Sequence, residues 1–147
     1  MQLAVVEAVR GLLGIPDANT TEVDPQTAHP VVHIPEDRVC QNDSRGATRM
    51  GSGAVRLQAG ALRAIYGEDM VYERHSNRYE VDQQYVQPLA DKGFRLVGIS
   101  GETGYPEAFE LEGHPFYLAV MYHAEYKSRP NRPHPLFTAF VHAAKHE

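Results

Sequence analysis

Reactive sulfur is scarce in this sequence. One cysteine, Cys40, stands in a polar stretch of the 147 residues. It has no partner for an internal disulfide, which fits a reducing, cytoplasmic setting. Neither a Gly-x-Ser-x-Gly nor a Gly-x-Cys-x-Gly elbow occurs, so the sharp strand-to-helix turn that presents a nucleophile is missing. There is no Lys/Arg-rich run, and the formal net charge is −5. That balance leaves no electrostatic footprint for nucleic acid. No apolar stretch approaches the roughly 20 residues of a membrane span, and no basic segment followed by an apolar one opens the chain. Internal repeats, low-complexity tracts and interdomain linkers are absent too. What is left is 42% hydrophobic and 22% charged, an ordinary composition for one soluble domain, or part of one, with a core of its own.

The most informative stretch is 116–125, Phe-Tyr-Leu-Ala-Val-Met-Tyr-His-Ala-Glu. Its apolar run predicts a buried strand over 116–122 that ends by delivering His123 and Glu125. Side chains two apart on an extended chain leave the same face. Glu125 can then accept a hydrogen bond from one imidazole nitrogen, fix the tautomer, and leave the other nitrogen free to exchange a proton. That is the base-and-orienter half of a nucleophilic triad. The chain thus holds part of an active site without its reactive atom.

Elsewhere, Leu3, Val6, Ala8, Val9, Leu12 and Leu13 give Gln2–Leu13 a broad apolar face, which predicts a helix stopped by Gly14 and Pro16. No capping Ser, Thr, Asp or Asn precedes it. Strands are predicted at 31–34, 54–58, 70–74, 79–81, 94–99 and 107–111, and helices at 60–66, 83–92 and 136–145. Residues 36–53 read as a long polar loop. Strands mixed with helices and short hairpins predict an α/β domain.

Several longer segments carry a resemblance. They are Met1-Gln2-Leu3-Ala4-Val5-Val6-Glu7, Asp17-Ala18-Asn19-Thr20-Thr21-Glu22, Tyr72-Glu73-Arg74-His75, Arg78-Tyr79-Glu80-Val81 and His114-Pro115-Phe116. After them come His123-Ala124-Glu125-Tyr126, Ser128-Arg129-Pro130 and His134-Pro135-Leu136-Phe137. In this order, over nearly the whole chain, the set resembles the glutamine amidotransferase domain of the CTP synthases, which are class I (triad) amidotransferases. The resemblance implies the C-terminal half of that flavodoxin-like domain, with a mostly parallel sheet flanked by helices and extra β-hairpins. It makes 1–147 a partial domain. The family's Gly-x-Cys-x-Gly elbow runs into a Met-Gln pair matched by Met1-Gln2, so the nucleophile, the first half of the sheet and the amidoligase domain are expected outside these residues. Exposure of the apolar face of the first helix, with Leu3, Val6 and Val9, follows as a further expectation.

By the same resemblance, His123 matches the catalytic base and Glu125 its orienting carboxylate. Glu22 matches the acid that receives the α-amino group of glutamine, Arg78 the arginine that pairs with its α-carboxylate, and Gln2 the residue beside the substrate. One anion and one fork-shaped cation are what a zwitterionic amino acid requires. The implied function is hydrolysis of L-glutamine to supply ammonia for ATP-dependent amination of UTP to CTP. No cofactor is expected for the hydrolysis; ATP and Mg belong to the amidoligase domain. The implied partners are that domain, the first half of this one, and further copies in a homo-oligomer. The alternative is a catalytically dead remnant that binds glutamine or acts as an interaction module.

Five features depart from the family or stand outside its site. His-Pro-Glu is His-Ala-Glu here, which predicts a looser backbone between base and orienter. Arg-His-Arg-His-Arg is Arg-His-Ser-Asn-Arg, one positive charge fewer, and the family's glycine-rich loop survives only approximately at 45–51. Cys40 reads as an incidental loop residue near Arg38 and Arg45. His142 and His146 have i,i+4 spacing, but with no third ligand in sight they read as a solvated helix face, and no metal site is expected.

Overall fold

Helix α1 (Gln2–Leu13) spans the predicted residues and ends at Gly14, whose φ of 71° is the left-handed conformation that glycine adopts without a Cβ clash. The structure, a computed structural model, describes residues 1–38 and 48–145. Val5, Val6 and Val9 of α1 are buried, while Leu3 is 67% exposed. The expected exposure of the helix's apolar face therefore holds for Leu3 and fails for Val6 and Val9. Those two pack within a core that also takes in Val31, Val32, Val81 and Leu89.

Around α1 lies a small sheet of β1 (Asn19–Thr20), β2 (Pro30–His33) and β5 (Glu80–Val81), in the order β1-β2-β5. A larger sheet runs β4-β3-β6-β7-β8, built from β3 (Arg49–Leu57), β4 (Met70–Asn77), β6 (Phe94–Ser100), β7 (Pro106–Leu111) and β8 (Leu118–Val120). Helices α2 (Ala61–Tyr66), α3 (Val86–Ala90) and α4 (Pro135–Ala144) complete the α/β fold. Each face of the larger sheet has its own core. Phe94 and Phe109 stack at 5.1 Å and join the cluster around α1 and α3. Val55, Val97 and Ala108 meet Leu62 of α2 and Leu136 of α4 on the other face.

The mostly parallel sheet expected from the resemblance is not what these residues build among themselves. Among the described residues, five strand pairings are antiparallel and β1–β2 is parallel. For β6–β7 and β7–β8 the links are too short for the dozen or more residues that a parallel crossover needs. Two further expectations shift. The polar loop read over 36–53 gives way at Arg49 to β3, which pairs with β4 from Arg49–Asn77 onward. The helix read over 83–92 begins as a 3-10 turn, Gln83–Tyr85, capped by Asp82, before α3. Cys40, Arg45 and His146, and the first three residues of the 45–51 segment, lie outside the described residues.

Four carboxylates on the two sheets, Glu73, Glu80, Glu107 and Glu110, are buried. Strand β4 alternates strictly, with Val71, Glu73, His75 and Asn77 inward and Met70, Tyr72, Arg74 and Ser76 outward. Glu107 on β7 receives Arg49 and His75, the latter at 2.9 Å. Glu80 takes Arg38 at 2.7 Å and Asn77 at 3.0 Å. Glu110 takes Arg95 at 2.5 Å and the Ala61 N–H at 2.8 Å. A buried carboxylate costs several kcal/mol unless partners like these replace its water. A Cβ at Gly53 would sit 2.8 Å from the Arg49 guanidinium and 3.2 Å from His75 Nδ1, so glycine leaves room for both partners of Glu107.

Candidate active site

Strand β8 ends at Val120, and His123 is the N-cap of a 3-10 turn, Ala124–Tyr126. The extended geometry expected over 116–122 is thus confined to 118–120, and it does not carry the His–Glu pair. The tight turn brings the two side chains together instead, with Nδ1 of His123 2.7 Å from Oε1 of Glu125. This hydrogen bond is the main reason the Glu125 carboxyl titrates below its ordinary range. Nδ1 faces an acceptor and so carries the proton in the neutral ring, which leaves the Nε2 lone pair for chemistry. Tyr126 stacks on the imidazole with ring centroids 4.8 Å apart.

The backbone here is not loose. Tyr126 N–H donates to the His123 carbonyl at 3.1 Å and Lys127 N–H to the Ala124 carbonyl at 3.2 Å. Ala124, 5% exposed, faces the core beside Leu136. The expectation that alanine between base and orienter relaxes the turn is corrected by these contacts: two backbone bonds and a buried methyl group close it.

A cleft of about 420 Å³ lies along the end of β4 and is lined by Gln2, Glu22, Thr48, Ser76, Asn77, Arg78 and Tyr79. It gathers three residues that are 20 to 76 positions apart in sequence: Gln2 from α1, Glu22 from the turn after β1, and Arg78 from the turn after β4. Gln2 Nε2 donates to the Tyr79 carbonyl at 3.2 Å and approaches the Met121 sulfur at 3.8 Å. Arg78 Nε donates to Thr48 Oγ1 at 2.6 Å, which fixes the plane of the guanidinium. Glu22 N–H bonds Thr20 Oγ1 at 3.2 Å, a local Ser/Thr turn that shapes the loop carrying the carboxylate.

His123 and Glu125 do not line this cleft but stand next to it. The His123 N–H donates to the Arg74 carbonyl at 2.8 Å, two residues before the cleft begins at Ser76. Met121, in contact with Gln2, ties the two regions together from the other side. One end of β4 thus carries an open cleft with an acid and an arginine, and near it a polarised histidine. Among the described residues, no group of three or more His, Cys, Asp and Glu side chains converges to hold a metal ion.

The family model for "Glutamine amidotransferase class-I" matches residues 1–143. The chain belongs to that family. Among curated class-I amidotransferase relatives, the CTP synthase of Flavobacterium psychrophilum is 43% identical over 149 residues, covering 100% of this chain and 28% of its own length. That of Thermomicrobium roseum is 44% identical, covering 99% and 26%. The chain therefore spans little more than a quarter of the relatives it matches. Among solved structures, the glutaminase domain of Trypanosoma brucei CTPS with bound acivicin superposes with a TM-score of 0.92 at 30% identity, over 100% of this chain and 58% of that one.

Within this amidotransferase fold, sequence reasoning missed the groups that support the site. Thr48 and Tyr79 line the cleft and orient Arg78 and Gln2, with nothing in their spacing to mark them. Asn77, where the resemblance has a histidine, is buried and donates to Glu80 at 3.0 Å. Ser76, where the resemblance has an arginine, is exposed on the cleft wall. The lost charge is thus at the cleft, whereas Asn77 belongs to the core. The clearest omission is Glu73, wholly buried on β4. Its signal was the strict in–out alternation of β4, which puts a glutamate on the inward face.

Proposed function

We propose that this chain carries the base, the orienting carboxylate and the amino-acid cleft of a CTP synthase glutaminase, and that the nucleophilic cysteine comes from a segment outside these 147 residues. One observation carries the reading: a His–Glu pair bonded at 2.7 Å stands beside a cleft that gathers Gln2, Glu22 and Arg78. L-Glutamine fits the chemistry of that cleft. Arg78 would hold the α-carboxylate, with Thr48 keeping its guanidinium in plane, and Glu22 would receive the α-ammonium.

In the reaction, the cysteine thiolate attacks the side-chain amide carbon and the C–N bond breaks. The His123 imidazolium gives its Nε2 proton to the departing ammonia. The same nitrogen then takes a proton from water as that water attacks the thioester, which releases glutamate and restores the thiolate. Glu125 holds the imidazole in the correct tautomer and stabilises its protonated form. In a cytoplasmic enzyme of this kind, the ammonia would pass to an amidoligase domain for ATP- and Mg-dependent amination of UTP, with the full-length protein a homo-oligomer. This chain's residues supply only the glutaminase part.

The reading is tested by titrating the chain with L-glutamine in a calorimeter and by assaying glutamate release with and without a family segment bearing the Gly-x-Cys-x-Gly elbow. Binding by the chain, no turnover alone, and turnover with the added segment that His123→Ala removes are the expected results. Glutamate release by the chain alone that His123→Ala abolishes would overturn the placement of the nucleophile. Failure to bind glutamine would overturn the cleft assignment.

A further inference from the structure

Both ends of the turn that carries His123 and Glu125 are tied to one buried carboxylate. Glu73 has no exposed surface, and its Oε1 is the meeting point of three groups. Lys127, just after the 3-10 turn, places Nζ 3.1 Å from that oxygen and donates to the Tyr72 carbonyl at 2.5 Å. Tyr66 donates its hydroxyl hydrogen to Oε1 at 3.0 Å. The Tyr66 oxygen in turn lies 3.0 Å from the hydroxyl of Tyr122, the residue before His123. A phenol has one hydrogen to give, so Tyr122 is the donor in that second contact.

The third group is His134, with Nε2 3.2 Å from Oε1. Its Nδ1 accepts the Leu136 N–H at 3.3 Å as the N-cap of α4, so Nε2 bears the hydrogen. Burial pushes the Glu73 carboxyl up, but the hydrogen bonds from His134 and Lys127, with the Lys127 charge, outweigh it and leave the group below its ordinary range. Burial, the neighbouring phenol and Glu73 push Tyr66 upward, and burial does the same to Tyr122, so both stay neutral donors. The result is a chain of contacts from β4 to residues 122 and 127, on either side of the His–Glu pair, with the His123 N–H to Arg74 carbonyl bond between them.

We propose that Glu73 is a positioning residue for the His123–Glu125 pair, acting through Lys127 at one end of the turn and through Tyr66 and Tyr122 at the other. This rests on the reading of His123 as the base, but the geometry stands without substrate. Neither Glu73 nor Lys127 touches the glutamine cleft; their effect on chemistry comes through the orientation of the imidazole. A hydrogen bond between two exposed side chains is easily lost to water, and the low-dielectric network behind the turn is what keeps the backbone at 122–127 in one arrangement.

The test uses the 147-residue chain with nitrogen-15 histidine, and long-range proton–nitrogen spectra that report the tautomer of His123 and its Nδ1–H resonance. In the wild-type chain, a single Nδ1–H tautomer with a protected, downfield proton is expected. Lys127→Met and Tyr122→Phe each remove one tie while the chain stays folded. Both are expected to broaden or abolish the downfield proton and mix the tautomers; Lys127→Arg is expected to restore the signal. Lys92→Met, on an exposed residue away from the network, is expected to leave it unchanged. Glu73→Gln should act on both ends at once, and if that variant does not fold the two single-tie variants decide.

Folded Lys127→Met and Tyr122→Phe proteins with an unaltered Nδ1–H signal would overturn the proposal. So would a lowered melting temperature in either variant with no change at His123, since that is the mark of a merely structural role. Glutamine titration of the wild-type chain separates this result from the functional reading. Lost binding counts against the glutaminase assignment, and an unmoved imidazole counts against Glu73.

Discussion

The side-chain amide of Gln2 donates to the backbone carbonyl of Tyr79 at 3.2 Å, across 77 positions of sequence. That bond seats the first turn of α1 against the chain just after Arg78, so one helix end and one strand end form adjoining walls of the cleft. The arginine is held from its other side by Thr48. A guanidinium fixed in this way loses little further freedom when it meets a carboxylate.

Replacing Arg78 with alanine should weaken L-glutamine binding by about 1.5–3 kcal/mol, the range for a hydrogen bond to a charged group. Calorimetry would read this as a dissociation constant raised about ten- to hundredfold. Arg78→Lys should recover only part of the loss, because an ammonium cannot bond Thr48 and a carboxylate with one planar fork. An unchanged constant in the alanine variant would remove Arg78 from the site.

Glu125→Gln is nearly isosteric, but it presents an amide to Nδ1 where a carboxylate stood. Its NH₂ face would favour the wrong imidazole tautomer, and its neutral oxygen would stabilise the imidazolium less. In the reconstituted glutaminase, kcat should fall by up to about 10⁴, as for the equivalent change in a Ser-His-Asp triad, with a smaller effect on KM. A kcat within a few fold of wild type would mean that Glu125 does not orient the base.

Local readings were legible wherever a pattern repeats along one element. The apolar spacing and Gly14 marked α1 to the residue, and the strand read over 107–111 matches β7 within one residue. Short pieces held mainly by tertiary partners were not legible: β1 is two residues that exist because Asn19 and Thr20 pair with β2. The contact between His123 and Glu125 was expected, but for the wrong local reason. Two residues apart on a strand and across a 3-10 turn both bring the side chains near each other, and sequence spacing cannot tell these apart. Glu22 and Arg78 rested on the resemblance, since a lone loop carboxylate and a lone arginine carry no spacing signal. The Glu73 network stayed hidden because Tyr66, Glu73, Lys127 and His134 come from four separate elements, and only the tertiary fold makes them neighbours.

Two buried carboxylates should give opposite pH signatures. Glu73 is held below its ordinary value of 4.5, so its contribution to stability is present above that range and lost as the pH falls through its lower, folded value. Glu80 is pushed above 4.5, chiefly by burial and further by Glu107, against the pull of Arg38 and Asn77. Its contribution is complete below 4.5 and is lost as the pH rises through its folded value. Relative to wild type, Glu73→Gln should therefore become less stable from acid toward neutral pH, while Glu80→Gln should gain. Melting temperatures across pH 3.5 to about 7 for the three proteins would check the signs; parallel curves would contradict both.

Two glycines should respond to alanine with opposite signs. Gly98 sits in β6 against β7, and a Cβ there would lie 2.9 Å from the Ala108 Cβ and 3.3 Å from Val55 Cγ1. Neither neighbour is the end of a flexible side chain, so the strands must part, at about 1–3 kcal/mol for overpacking. Gly11 lies in α1, exposed, with nothing within 4 Å of its added Cβ. Alanine there restricts the unfolded chain and favours the helix by about 0.5–1 kcal/mol. Thermal unfolding should show Gly98→Ala melting several degrees lower and Gly11→Ala slightly higher, at roughly 2–4 °C per kcal/mol for a chain of this size. Pairing Gly98→Ala with Ala108→Gly removes the colliding methyl group and should return most of the loss. If the double variant melts no higher than Gly98→Ala alone, the close approach of β6 and β7 at this point is not what makes glycine necessary.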